Sequence, residues 1–180
     1  RYPHVRIRLL NYSAPQAVKA LENNIIDFAI VSTPVLVHKH MHQEKLVSYD
    51  EILLGGTKYK QFAQQVHYLE DISEMPLIGL CEGSSTHTHY SRFFIEHDLP
   101  FEPDMEAAMT DQVLPMITHN LGIGFYPKSL ALEAIEKELV FPIELTEPLP
   151  NRDVVVITNN HTPINSAARR FLEFLLENRK

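Results

Sequence analysis

Short apolar runs alternate along this chain with stretches whose apolar residues recur at helical spacing. At the start, Val5, Ile7 and Leu9 alternate with His4, Arg6 and Arg8, the period-two pattern of a half-buried strand. Ser13-Ala14-Pro15-Gln16 reads as a helix start, with serine as N-cap, proline as first helical residue and glutamine closing a capping box. Ala14, Val18, Leu21 and Ile25 then mark the apolar face of that helix. Asp27 introduces Phe28 to Val31, a continuous apolar run suited to a strand covered on both faces. Strand, helix and strand in this order predict a parallel βαβ unit with a right-handed crossover.

The same alternation continues. Leu46 to Leu54 reads as a strand ending at Gly55-Gly56, and Tyr59 to Val66 as a short helix. Pro76 to Leu80 reads as a strand, and Ser85 to about His97 as a helix with Tyr90, Phe93 and Phe94 on one face. Strands follow at Asp104 to Met109, Gly122 to Tyr126 and Leu139 to Leu145, with helices at Asp111 to His119 and Lys128 to Lys137 between them. Val154 to Thr158 is a β-branched strand. Ser166 to Glu177 is an amphipathic helix expected to bury Ala167, Phe171, Phe174 and Leu175. The pattern predicts an α/β protein with mostly parallel sheets and helices packed on their faces. Segments 53–59 and 146–152 read as joints, so two lobes are expected, one of them discontinuous: 1–54 plus 151–180, and 55–150. A chain that opens inside a strand is expected to be a fragment of a longer protein.

Charge narrows the partners. Twenty-three acidic residues against 16 basic ones give a net charge of −7, which argues against this chain gripping nucleic acid by itself. No apolar run approaches the roughly 20 residues of a membrane span. Cys81 is the only cysteine, so no internal disulfide can form. A cytoplasmic protein without membrane contact is expected.

Candidate chemistry concentrates in GLCEGSSTHTHYSRFF, residues 79–94. As a nucleophile loop it fails the G-x-S-x-G pattern, because no second glycine follows Ser85, and Cys81 sits in an apolar strand. As a metal site, His87 and His89 lie two residues apart on a helix and point to opposite sides. His38, His40 and His42 would share one face if their segment were a strand, and could converge on Zn²⁺. The bland reading of that segment is a solvated polar stretch, and no metal or other cofactor is expected. As a ligand cradle, the 79–94 stretch joins a strand end, one glycine and a hydroxyl cluster at a helix start. Free backbone N–H groups and hydroxyl donors at such an end favour a carboxylate, phosphate or sulfate. In parallel α/β sheets ligands sit beyond the carboxyl ends of the strands. Ser32, Thr33 and Thr110 occupy similar strand ends. Each hydroxyl alone reads equally well as an N-cap, worth about 1 kcal/mol.

The order of motifs resembles the effector-binding domain of LysR-type transcriptional regulators. The pieces are RYPHVRIRLL, LENNIIDFAIV, LEDISEMPLIGL with EGSSTHTHYSRFF, VLPMITHNLGIGFYPKSLA, PLPNRDVVVIT and the closing SAARRFLEFL helix. The resemblance spans essentially the whole chain, and the helix over 111–119 followed by Asn120 to Pro127 is its most specific piece. It implies a two-lobed fold like type 2 periplasmic binding proteins, with two crossover strands and a small-molecule cleft between the lobes. It further implies that the family's first strand and helix, and an N-terminal helix-turn-helix that alone would contact DNA, lie outside this sequence. Carried over, Ser84, Ser85 and Thr86 match the helix-end motif that contacts the effector. Thr33 and Thr110 match cleft-edge positions, and Gly122 and Phe125 lie on the strand that floors the cleft. His87 stands where many relatives carry arginine or another polar residue, and it would supply positive charge to an anionic effector when protonated. The implied function is sensing of a small metabolite, with no chemistry of its own, in a protein that self-associates as a dimer or tetramer. The rival is a transport solute-binding protein of the same fold. An enzyme on such a fold would need an acid/base pair, for which Glu82 and Asp111 are the nearby carboxylates.

Overall fold

A computed structural model describes residues 4–179 of the chain. The backbone divides into two units, Arg1–Ser48 with Asp153–Lys180 as unit 1, and Tyr49–Arg152 as unit 2.

Unit 1 holds helix α1 (Ala14–Glu22), strands β1 (Ala29–Ser32) and β2 (Met41–Tyr49), the return strand β9 (Arg152–Asn159) and helix α6 (Ser166–Glu177). Its sheet has the order β1-β9-β2, with β1 antiparallel to β9 and Val31 opposite Val155. Gln16 closes the start of α1 by accepting a hydrogen bond from the Ser13 N–H, 2.9 Å long, so the capping pair forms. Ala14, Val18 and Leu21 are buried against Ala29, Val31, Val155 and Ile157. Ile25 is not on that face, because the helix stops at Glu22 and Asn24 turns it off with a left-handed φ of 55°.

Two further expectations fail in unit 1. Residues 5–10 form no strand, and the expected parallel βαβ unit is absent. Ile7 and Leu9 are 77% and 92% exposed. An alternating pattern makes a strand only where its backbone groups pair with a neighbour, and among the described residues the sheet of unit 1 has the order β1-β9-β2 without this segment. Residues 1–3 of the expected strand lie outside the described residues. Helix α6 forms where predicted, but none of its residues is buried, and Phe171 and Phe174 are 44% and 58% exposed. On its apolar face the Phe171 ring stacks on Phe28 at 6.0 Å. An amphipathic pattern records that a face is apolar, not that it is covered.

Unit 2 is a six-stranded sheet in the order β4-β8-β3-β7-β5-β6. Its strands are β3 (Glu51–Gly56), β4 (Val66–His67), β5 (Leu77–Leu80), β6 (Met105–Ala107), β7 (Ile123–Pro127) and β8 (Val140–Leu145). The single strand expected over Leu46 to Leu54 is two, β2 and β3, broken at Asp50. Only β3 runs antiparallel to its neighbours β7 and β8, while β5 is parallel to β6 and β7, and β4 to β8. The sheet is thus mostly parallel, as predicted. Tyr59 to Val66 is two short 3-10 turns rather than a helix.

Continuous apolar runs become two cores because alternate side chains leave opposite faces of the sheet. Leu53, Leu77, Ile123, Phe125 and Ile143 face helix α3 (Ser85–Ile95) and α2 (Leu69–Ile72), which add Tyr90, Phe93, Phe94, Leu69 and Ile72. Leu54, Ile78, Leu80, Tyr126 and Val140 face α4 (Thr110–Thr118) and α5 (Lys128–Glu136), which add Val113, Ile117, Ala131 and Ala134. The Asn120 to Pro127 motif is a joint between α4 and β7. Asn120 ends α4 with a φ of 59°, and its Oδ1 accepts the Lys58 N–H at 2.7 Å. Gly122 then lets β7 pass against β5, because a Cβ there would lie 2.3 Å from the Pro76 carbonyl oxygen.

Two substitutions check this packing by denaturant unfolding. Phe94→Ala is expected to cost about 3–5 kcal/mol, the loss for a fully buried aromatic side chain. Gly122→Ala is expected to cost roughly 1–3 kcal/mol, because the strand must shift to clear Pro76. An unchanged midpoint for either variant would contradict the packing described.

Candidate functional site

Strand β5 ends at Leu80 and the chain turns into α3 through Cys81, Glu82 and Gly83. Gly83 has a φ of 82°, a conformation that side chains resist, and the Ser84 N–H closes the turn onto the Cys81 carbonyl at 3.1 Å. Ser84 is the N-cap of α3. Its Oγ accepts the His87 N–H at 3.1 Å, and its carbonyl accepts both the N–H and the hydroxyl of Thr88. That leaves the amides of Ser85 and Thr86 ahead of the helical ladder, beside their own hydroxyls and at the positive end of the helix dipole.

Behind this donor cluster lies a buried polar network. Arg152, 2% exposed, donates from Nη1 to Thr86 Oγ1 at 3.0 Å and to Glu51 Oε1 at 3.2 Å. Tyr90, one turn along α3 from Thr86, donates its hydroxyl proton to Glu51 Oε2 in a close hydrogen bond. The guanidinium carbon of Arg152 also lies 5.9 Å from the centre of the Tyr49 ring. Burial first, and then the Glu51 charge and hydrogen bond, raise the Tyr90 pKa well above its ordinary value, so the phenol keeps its proton. His89 packs edge-on against Tyr90 at 5.1 Å. Burial, and then the charge of Arg152, lower its pKa to about 4, although a hydrogen bond with the Pro150 backbone acts the other way. The network therefore holds one carboxylate and one guanidinium that compensate each other, with a neutral phenol and a neutral imidazole beside them.

The predicted site residues do not all gather here. Ser84, Ser85 and Thr86 follow β5, and Thr110, the first residue of α4, follows β6, the parallel neighbour of β5. These four residues share the carboxyl edge of the sheet in unit 2. Phe125, on β7, is buried beneath α3 with its ring stacked on Tyr90 at 4.2 Å. Gly122 stands at the opposite end of β7, level with Pro76, and away from that edge. His87 lies on the side of α3 that meets Phe101, with Nδ1 3.2 Å from Ser91 Oγ. Thr33 belongs to unit 1, where its Oγ1 accepts the Asp153 N–H at 3.0 Å.

Arg152 and Glu51 escaped the sequence reading. Their signal was present as charged pairs heading each of two apolar strands, Asp50-Glu51 before Ile52-Leu53-Leu54 and Arg152-Asp153 before the β-branched run 154–158. The histidines of 38–42 do not form the expected strand face. Of His38, His40 and His42, only His42 is on a strand. His38 and His40 stack at 5.7 Å, and His40 and His161 at 4.7 Å, with rings 15° and 14° from parallel. Nitrogen lone pairs lie in the ring plane, so stacked imidazoles cannot aim at one ion. Among the described residues, no group of three or more His, Cys, Asp or Glu side chains is placed to hold a metal. Glu82 and Asp111 are both exposed. No helix among the described residues is long and apolar enough to cross a membrane.

Known proteins share this architecture. The chain is 23% identical over 176 residues to the "Probable RuBisCO transcriptional regulator" of Chlorokybus atmophyticus, covering 95% of this chain and 56% of that protein. It thus spans little more than half the length of that relative. The regulatory domain of Synechocystis PCC6803 CcmR, solved in complex with 2-PG, is similar with a TM-score of 0.86 at 16% identity, over 99% of this chain and 86% of that one. The effector-binding domain of QuiR in complex with shikimate follows at 0.80 and 16% identity, over 93% of this chain and 78% of that one. At such identities the likenesses establish the fold, an α/β fold of the periplasmic-binding-protein type. The family model for the LysR substrate binding domain matches residues 1–180, and the chain belongs to that family.

Proposed function

We propose that this chain is the ligand-sensing regulatory domain of a LysR-type transcription regulator, and that it holds a hydrogen-bond-accepting group of a small molecule at the start of α3. The observation that carries this reading is the donor cluster of Ser85 and Thr86, backed by the buried Arg152 that donates to Thr86 at 3.0 Å. Family membership supports it, as do the small-molecule complexes of CcmR with 2-PG and QuiR with shikimate. Because Glu51 compensates Arg152, the attraction for an anion comes mainly from the helix end and its hydroxyls, which suits a carboxylate or phosphate. DNA contact is assigned to the part of the protein outside this sequence, and the domain is proposed to self-associate as a dimer or tetramer.

Thermal unfolding against carboxylate and phosphate metabolites, with 2-PG and shikimate among them, tests the reading. A specific ligand raises Tm as its concentration exceeds Kd. Ser85→Ala and Thr86→Ala should then each weaken binding by about 1–3 kcal/mol. Binding that both variants leave unchanged would remove the site from the start of α3. Sedimentation over a range of protein concentrations tests self-association, and a monomer throughout would refute it.

His89 gives the domain a pH signature. Its folded pKa of about 4 lies below the ordinary value of 6.5, so between these values the unfolded chain binds a proton that the folded chain refuses. Stability should therefore fall as pH drops through that window and level off below it. His89→Gln should flatten this part of the profile of urea midpoints. A wild-type profile already flat there would contradict the burial of His89.

A further inference from the structure

The chain passes between its units twice, after Ser48 and after Arg152. Each crossing carries one member of the same buried ion pair. Glu51 is the third residue of unit 2, and Arg152 is its last. The pair reaches α3 as well, because one guanidinium nitrogen, Nη1, donates both to Glu51 and to Thr86. A terminal guanidinium nitrogen has two hydrogens, so these two bonds together fix its orientation. Both bonds depend on the placement of one nitrogen, and in a dry setting an imperfect partner for it costs more than in water.

We propose that Arg152 is a positioning residue that makes Thr86 a hydrogen-bond donor and ties the state of its hydroxyl to both chain crossings. With Nη1 donating into Thr86 Oγ1, the hydroxyl hydrogen is turned away from Arg152 and towards an incoming acceptor. A carboxylate or phosphate taken there makes Thr86 Oγ1 a better acceptor for Nη1, which holds the guanidinium more firmly between Thr86 and Glu51, and order at the crossings rises with it. By linkage, whatever orders the crossings strengthens binding at Thr86. His89 lies beside Arg152 on the same helix as Thr86 and, being neutral, does not repel it. The biological use of this coupling rests on the proposed ligand-sensing role, but the coupling itself belongs to the ligand-free protein.

Hydrogen exchange of the ligand-free chain therefore tests it. Thr86→Val keeps the shape of the side chain and removes the acceptor. It should speed exchange by roughly tenfold at the amides of Tyr49–Ile52 and of Asn151–Val154, through local opening. Thr86→Ser should restore wild-type exchange at both places. Thr88→Val, on the same turn but outside the network, should leave both unchanged. Arg152→Lys keeps the charge but cannot bridge Glu51 and Thr86, and it should reproduce the Thr86→Val pattern. The proposal is overturned if Thr86→Val matches Thr88→Val at the crossings. It is equally overturned if exchange rises evenly across β5 and β7, because that is general destabilisation. No ligand is added, so these results stand apart from the ligand screen, and failure of either leaves the other to be judged separately.

Discussion

A carboxylate buried at the head of a strand of leucines is tolerable only if a cation and good hydrogen bonds meet it. In this chain the cation lies 101 positions away, on the return strand, and the Glu51–Arg152 pair organises much of what surrounds it. Tyr90 must keep its proton to donate to Glu51, Thr86 must present its oxygen to Arg152, and both requirements orient α3. Removing either partner would leave an uncompensated buried charge, so the pair acts as a constraint on geometry more than as a source of net stability. The donor cluster at the start of α3 has its direction because this network stands behind it.

The sheet of unit 2 supplies the rigid frame. Its strands are apolar on both faces, so α3 is pressed on one side by Phe93 and Phe94 while α4 and α5 close the other. Between these layers the parallel strands β5 and β6 deliver Ser84, Ser85, Thr86 and Thr110 to one edge. Asn120 and Gly122 settle how closely the layers approach, one by accepting the Lys58 amide and the other by making room for the Pro76 carbonyl. The motif that most resembles the family is thus a packing joint, and one of its glycines stands away from the proposed ligand position.

What could be read in the sequence follows from how local each cause is. The strand of residues 154–158, the α3 face of Tyr90, Phe93 and Phe94, and the caps at Ser13 and Ser84 depend on neighbours within a few positions. The failures have the opposite origin. Val5, Ile7 and Leu9 carry a strand pattern but join no strand among the described residues, and Phe171 and Phe174 carry a buried-face pattern yet stay half exposed. Ile25 continues a helical period past an asparagine that has already ended the helix. For the site, the serine and threonine cluster was legible as a helix end. The charges that direct it were not, because nothing local joins Glu51 to Arg152, and pairing over such a distance exists only in the folded chain.

The same separation has a kinetic side. Unit 2 is one contiguous stretch, whereas unit 1 is assembled from two pieces that must find each other across all of unit 2. Bringing together the ends of so long a loop carries an entropic cost that grows with the logarithm of its length. The Glu51–Arg152 pair lies inside unit 2 and joins residues close to both ends of that loop. A pair formed there before unit 1 assembles would act as an assembly clip, shortening the search between the two pieces of the discontinuous unit.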